Sequence, residues 1–352
     1  MTDAEAATVL IRTENSLGRI TLNRPRAINA LNQDMIARIT EALHAWTCDA
    51  DIDTVLIDGE GERGFCAGGD VRALYDHIVG GNPGGIAEFF RAEYAMNALI
   101  AEYPKPIVVF ADGITMGGGI GLAGHAAVRI VTERSRLAMP ETRIGFTPDV
   151  GGTWLLGRAP GRLGEYFGLT GQSMTGADAV QLGFADHYVP SDRLDALREA
   201  LAWRADPPTP SGIVLLFDET PETSPLLAAR SWIDEAFSAD TVGEVVSRLQ
   251  GSQEPDAAAA LAVMQELAPT GLAVTLDAVR EARRMHSVRE ALEGEYRRIM
   301  WFGTQPDMVE GIRAQLIDKD RNPHWNPATI ADLPEDAGAG AREFVPVVPL
   351  FE

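Results

Sequence analysis

The order of apolar runs in the first half of the chain restricts its fold more than any other feature. Thr8 to Asn23 alternate apolar and polar side chains, with Val9 and Ile11 before the turn Asn15-Ser16-Leu17-Gly18 and Ile20 and Leu22 after it. That pattern predicts a β-hairpin. Leu31, Met35, Ile36, Ile39 and Leu43 then recur at helical spacing. The runs DTVLID and PKPIVVFADG read as short strands, with a helix around Ile86 to Tyr103 between them. A Gly-rich turn, a short helix and the strand AAVRIVTE follow. Hairpin, helix, strand, helix, strand, helix, strand is the order of an α/β core built from stacked strand and helix units.

From about residue 195 the periodicity becomes helical. Helices are expected over Trp232–Leu249, Ala257–Leu267, Ala273–His286, Val288–Phe302 and Asp307–Ile317, with breaks at Pro269 and Gly303-Thr304-Gln305-Pro306. The expected organisation is a core over 1–195, a helical region over 196–330 with an irregular insertion at 204–225, and a loosely held tail over 331–352.

Net charge narrows the function. The 51 acidic and 30 basic residues give a formal charge of −21, which repels polyanions and argues against nucleic acid as a partner. An anionic ligand must then be held by local groups. No apolar run approaches the roughly 20 residues needed to span a bilayer, and MTDAEAATVL lacks the basic-then-apolar order of a signal peptide. No membrane partner is expected, and the cytoplasm is the expected location. Cys48 and Cys66 are too few for a disulfide framework or a cysteine-rich zinc site, and the six histidines are scattered, so no metal is expected.

Two Gly-rich turns each follow a strand. Gly119, Gly121 and Gly124 form a G-x-G-x-x-G, but ADGITM separates them from the strand and no acidic residue stands at the distance of a ribose contact. Tight helix packing therefore explains these glycines better than a dinucleotide, and no cofactor is expected. Phe65-Cys66-Ala67-Gly68-Gly69-Asp70 is the second turn. Small residues there allow a backbone to approach a ligand, and two such turns together could supply the paired N–H donors of an oxyanion hole.

MPETRIGFTPDVGG, residues 139–152, carries Glu141 and Asp149 on a segment that Pro140, Pro148, Gly145 and Gly151-Gly152 keep out of regular structure. The two acids are either a working pair or two solvated side chains on a surface turn. Glu93 shares a helical face with Phe90, Asn97 and Ile100, and the residues alone place it at the solvated edge of that stripe. A serine-hydrolase elbow is unsupported, because GQSMT lacks its closing glycine.

In combination, NRPRAINALN, FCAGGDVR, DGITMGGGIGL and MPETRIGFTPDVGG are similar, in order and spacing, to the crotonase, or enoyl-CoA hydratase/isomerase, superfamily. FFRAEY, ITMGGGIGLAGH and EGIRAQLIDKDRNPHWNPA resemble its members that hydrolyse short branched β-hydroxyacyl-CoA thioesters. The resemblance runs from Val9 to about Ala328 and implies a spiral of ββα units with a C-terminal helical region. It implies an acyl-CoA substrate, 3-hydroxyisobutyryl-CoA first, as in valine catabolism, and it allows a homo-oligomer, since relatives often form trimers or hexamers, although the residues themselves give no oligomeric state. It assigns the oxyanion hole to the N–H groups of Gly69 and Gly118, CoA contacts to Arg26 and Ala67, a substrate contact to Glu93, and catalysis to Glu141 and Asp149. For Arg26 an ordinary solvated charge is the competing reading. Hydratases of the family carry a second glutamate where this chain has Gly121, and a glycine where it has Asp149. The resemblance therefore implies a hydrolase, with an isomerase or hydratase of the same fold and a non-catalytic acyl-CoA-binding protein as alternatives.

Overall fold

The computed structural model describes residues 7–203 and 209–351 and divides the chain into two units. The first takes residues up to 69, 96–137 and 174–222; the second takes 70–95, 138–173 and 223 onward.

The first unit is built on two sheets. The hairpin strands β1 (Val9–Glu14) and β2 (Leu17–Leu22) pair antiparallel, Val9 opposite Leu22. The turn is only Asn15-Ser16, with Asn15 at φ 55°, shorter than the four residues expected. Gly18 belongs to the strand, paired with Thr13, and is glycine because the Trp46 ring lies where a side chain would be, 2.7 Å from an added Cβ. β3 (Thr54–Gly59), β4 (Ile107–Phe110), β6 (Val128–Val131) and β9 (His187–Tyr188) continue the sheet in parallel, in the order β1-β2-β3-β4-β6-β9. β5 (Ile114–Met116), β7 (Arg136–Ala138) and β8 (Met174–Thr175) form a second, smaller sheet that short strand patterns do not announce. The parallel strands read as unbroken apolar runs because both faces are covered. Leu17, Leu56, Val108, Ile130 and Val189 pack there with Leu197, Leu201, Ile213 and Val214.

Ile213 and Val214 lie in the stretch expected to be an irregular insertion. Residues 204–208 fall outside the described residues, but Pro210–Val214 form a helix capped by Thr209. Burial of its two apolar side chains makes that part an integral piece of the first unit.

The second unit is helical. Gly152–Arg158 and Leu163–Thr170 pack on Pro269–Ala282, where a Cβ added to Gly157 would stand 3.1 Å from the Arg283 backbone. The loop after β7 therefore travels with the C-terminal helices, and the expected boundary at 195 does not describe the packing. The helix expected over 232–249 is two, Leu226–Phe237 and Val242–Gly251; the Thr241/Glu244 capping box starts the second. Pro269 stands at the first turn of a helix, a position that needs no N–H. The terminal segment is also held, contrary to expectation. Leu350 and Ala341 are buried, Arg342 pairs with Asp277 at 2.7 Å, and Arg289 lies over the Phe351 ring. Among the described residues no single helix is long and apolar enough to cross a membrane.

Candidate active site

In the first unit the two Gly-rich turns are stitched together by backbone hydrogen bonds. Cys66 N–H donates to the Ile114 carbonyl at 3.0 Å and Met116 N–H to the Cys66 carbonyl at 2.9 Å. On its other side the 65–70 segment meets the stretch after β2: Ala67 N–H donates to Ile28 and Leu31 N–H to Gly68, both at 2.8 Å. Leu31 bridges Gly69 in parallel through the Gly68 carbonyl, a pattern that turns the N–H of Gly69 away from it. Gly68 is at φ 108°, and a Cβ there would lie 3.5 Å from the Gly118 nitrogen. Gly118 opens the helix Gly118–Ala123. Among the described residues neither Gly69 nor Gly118 N–H donates to another backbone group.

Gly119 explains the glycine run itself. An added Cβ would sit 2.5 Å from the Cys66 carbonyl oxygen, so only glycine lets the helix approach the other turn. Cys66 is buried, with its thiol on the Asn29 carbonyl, and acts as a packing residue. Ala67 is half-buried beside these turns; Arg26 is exposed on the 3-10 turn Pro25–Ala27.

The acids lie in the second unit, and the surface reading of the loop is overturned. Glu141 and Asp149 are each 4% exposed and Glu93 2%, so Glu93 is not at a solvated edge either. Glu141 begins a 3-10 turn, Glu141–Ile144, closed by Gly145 at φ 82°. Ile144 and Gly145 lie against Gly311 and the Asp307 backbone: a Cβ on Gly145 would fall 2.0 Å from the Asp307 carbonyl oxygen. Asp149 precedes Val150 at φ 53° and Gly151 at φ 77°, and its carboxylate accepts the Tyr94 hydroxyl at 2.7 Å.

Two further residues belong to this cluster that sequence reasoning missed. One is Tyr94, fully buried and edge-on to Tyr296. The other is Glu295, 1% exposed on the helix Val288–Phe302, which accepts Gly151 N–H at 2.6 Å, Thr153 N–H at 2.9 Å and the Thr153 hydroxyl at 2.5 Å. The available signal for Glu295 was an acid inside a stripe of Ala291, Leu292, Ile299 and Phe302, the same pattern noted at Glu93.

Electrostatics follow from burial. Among the described residues no Arg or Lys pairs with Glu93, Glu141, Asp149 or Glu295, and desolvation penalises the charged form of each. Burial, with Asp149's charge added, holds Glu93 and Glu141 well above the usual carboxylate range. Burial pushes Asp149 up to about 7, against the pull of the Tyr94 hydrogen bond. It pushes Glu295 up to about 8, against the bonds from Thr153 and Gly151. Glu93 Oε1 and Glu141 Oε2 have no hydrogen-bond partner among the described residues. Buried oxygens without partners beside a carboxylate that titrates near neutrality suit proton transfer to and from a substrate.

Residues 17–339 match the Enoyl-CoA hydratase/isomerase family, and the chain belongs to it. Its architecture is the crotonase fold. It is 44% identical, at TM-score 0.91, to a structure titled carnitinyl-CoA dehydratase from Mycobacterium thermoresistibile, covering 97% of both chains. A structure titled enoyl-CoA hydratase from Rhodobacter sphaeroides 2.4.1 gives 42% and 0.90, covering 96% of this chain and 98% of that one. Among curated proteins it is 39% identical to the mitochondrial 3-hydroxyisobutyryl-CoA hydrolase of Danio rerio, over 95% of this chain and 89% of that protein. It is also 39% identical to 3-hydroxyisobutyryl-CoA hydrolase 1 of Arabidopsis thaliana, over 94% and 90%.

Proposed function

We propose that this protein is an acyl-CoA thioester hydrolase acting on a short branched β-hydroxyacyl group, with 3-hydroxyisobutyryl-CoA as substrate and 3-hydroxyisobutyrate and CoA as products. The observation that carries this reading is the buried Glu141–Asp149 pair in a chain that has Gly121 where a hydratase of the family needs its second carboxylate. The curated relatives named as hydrolases support it.

In this reading the N–H groups of Gly69 and Gly118 receive the charge that develops on the thioester oxygen. Each such donor is worth roughly 2.7 to 4 kcal/mol in the transition state. Arg26 and the backbone near Ala67 hold the CoA portion, and Glu93 contacts the acyl group. Ionised Asp149 orients the substrate hydroxyl or the attacking water and accepts a proton. Glu141 acts by one of two routes. As a base it takes a proton from water while the water oxygen bonds to the thioester carbon; the tetrahedral species then expels CoA thiolate, which is reprotonated. As a nucleophile its carboxylate displaces CoA thiolate to give a mixed anhydride, which water cleaves. Hydroxylamine trapping of an acyl-enzyme separates the two. CoA enters as part of the substrate.

The dehydratase and hydratase titles of the two similar structures favour a second reading, addition of water to an enoyl thioester. Thiol release from a panel of acyl-CoAs, with crotonyl-CoA as the hydratase control, tests both. CoA release from 3-hydroxyisobutyryl-CoA with no loss of conjugated-enoyl absorbance from crotonyl-CoA is the expected result. Hydration without thiol release refutes the hydrolase.

A further inference from the structure

Asp149 is held by Tyr94, on the helix Pro83–Ala101, and the backbone after it is held by a second helix, Val288–Phe302, which also packs against Tyr94. Tyr94 donates to its carboxylate, and Tyr296 on the helix Val288–Phe302 packs edge-on against the Tyr94 ring, centroids 6.4 Å apart. The preceding residue on that helix, Glu295, fixes the backbone that follows Asp149. Both of its oxygens are used, one on Gly151 N–H and the other on Thr153 N–H and hydroxyl. That backbone does not adopt its shape unaided. Val150, a β-branched residue, stands at φ 53° and Gly151 at φ 77°, so two successive residues occupy the left-handed region. Sparsely populated conformations of this kind persist only where the surroundings over-determine them.

We propose that Glu295 is a positioning residue for Asp149. It clamps the strained Val150-Gly151 turn so that the Asp149 carboxylate, pinned on its other side by Tyr94, points at the reacting group. The proposal rests on the reading of Asp149 given above. A trans cap on the Gly152–Arg158 helix would by itself account for stability. It would not make the loss of kcat on replacing Glu295 depend on the presence of Asp149, and that dependence is what separates positioning from capping.

The test is a kinetic double-mutant cycle on the full chain, with 3-hydroxyisobutyryl-CoA as substrate. Glu295→Gln replaces one acceptor oxygen by an NH2 group that faces an N–H donor, and so loosens the turn without changing side-chain volume. It is expected to lower kcat by roughly 10- to 100-fold, the upper figure being what a misplacement of about 1 Å can cost, while KM stays within about threefold. Because Glu295 acts through Asp149, Asp149→Asn combined with Glu295→Gln should lose no more than about threefold beyond Asp149→Asn alone. A Glu295→Gln enzyme with kcat within about twofold of wild type, or two losses that multiply in full, overturns the proposal. If Asp149→Asn itself leaves turnover intact, the assignment of Asp149 fails and the proposal with it. If Asp149→Asn is crippled and Glu295→Gln is not, only the proposal fails. Should Glu295→Gln not fold, Thr153→Val, which deletes one donor, decides the matter. It is expected to lower kcat by roughly 3- to 10-fold with Thr153→Ser restoring it, and unchanged kcat in Thr153→Val overturns the proposal.

Discussion

Replacing Tyr94 by Phe removes a single oxygen atom and should move the pH dependence of turnover. The hydroxyl donates to Asp149 at 2.7 Å, and both groups are buried. A hydrogen bond to a charged group contributes about 1.5–3 kcal/mol, and burial favours the upper part of that range, ~2–3 kcal/mol. The bond favours the ionised carboxylate, so it holds Asp149 below where burial alone would place it. At about 1.4 kcal/mol per pKa unit, its loss raises the Asp149 midpoint by roughly 1.5–2 pH units from its value near 7. At neutral pH the ionised fraction falls from about one half to about 1–3%, a loss of roughly 15- to 50-fold in kcat/KM. The assay is thiol release from 3-hydroxyisobutyryl-CoA across the pH range. The acid limb of the Tyr94→Phe profile should sit to the alkaline side, with activity recovering as pH rises. A limb that stays in place, or a loss equal at every pH, would refute the electrostatic role of Tyr94.

Glu141→Gln should abolish thiol release, by about 10³-fold or more, with an unchanged circular dichroism spectrum; near-normal turnover sinks its catalytic role. Asp149→Gly should depress kcat far more than CoA affinity, read by calorimetric titration with CoA; equal losses would indicate a structural part instead. Asp149's midpoint rises from 3.8 in an ordinary environment to about 7 in the fold, so the folded state binds this proton more tightly than the unfolded chain. Its stabilising contribution is complete below the unfolded value and is lost as pH rises through about 7, a change of about 4 kcal/mol. Asp149→Asn should therefore raise Tm at pH 8 relative to wild type and flatten the decline in Tm above pH 4; a wild-type Tm that climbs over that interval contradicts the argument. Gly145→Ala combines a φ of 82° with a Cβ 2.0 Å from the Asp307 carbonyl oxygen, so backbone must move. A loss of roughly 3 kcal/mol or more in urea unfolding is expected, and a loss under about 1 kcal/mol would show that the Glu141 turn is not confined as described.

Sequence by itself determined the longer elements and the residue types available for chemistry. The hairpin, the buried strands and the helix Val288–Phe302 follow from residue periodicity, because each pattern has a local physical cause. Residue types marked two small-residue turns, at Gly69 and Gly118, and two acids on one stiffened loop; that Glu141 and Asp149 work as a pair and that Gly121 marks a missing carboxylate is what the resemblance to the crotonase superfamily implied. What periodicity did not carry was partnership. Glu93 read as a solvated edge because hydropathy registers a carboxylate as polar whether or not another element covers it. Tyr94 meets Asp149 across 55 residues, and Glu295 meets Thr153 across 142. Only the tertiary structure decided that the acid loop packs with the C-terminal helices. It also decided that burial without a cation moves these carboxyl groups toward neutral pH, since desolvation is set by what surrounds a side chain and not by its neighbours along the chain.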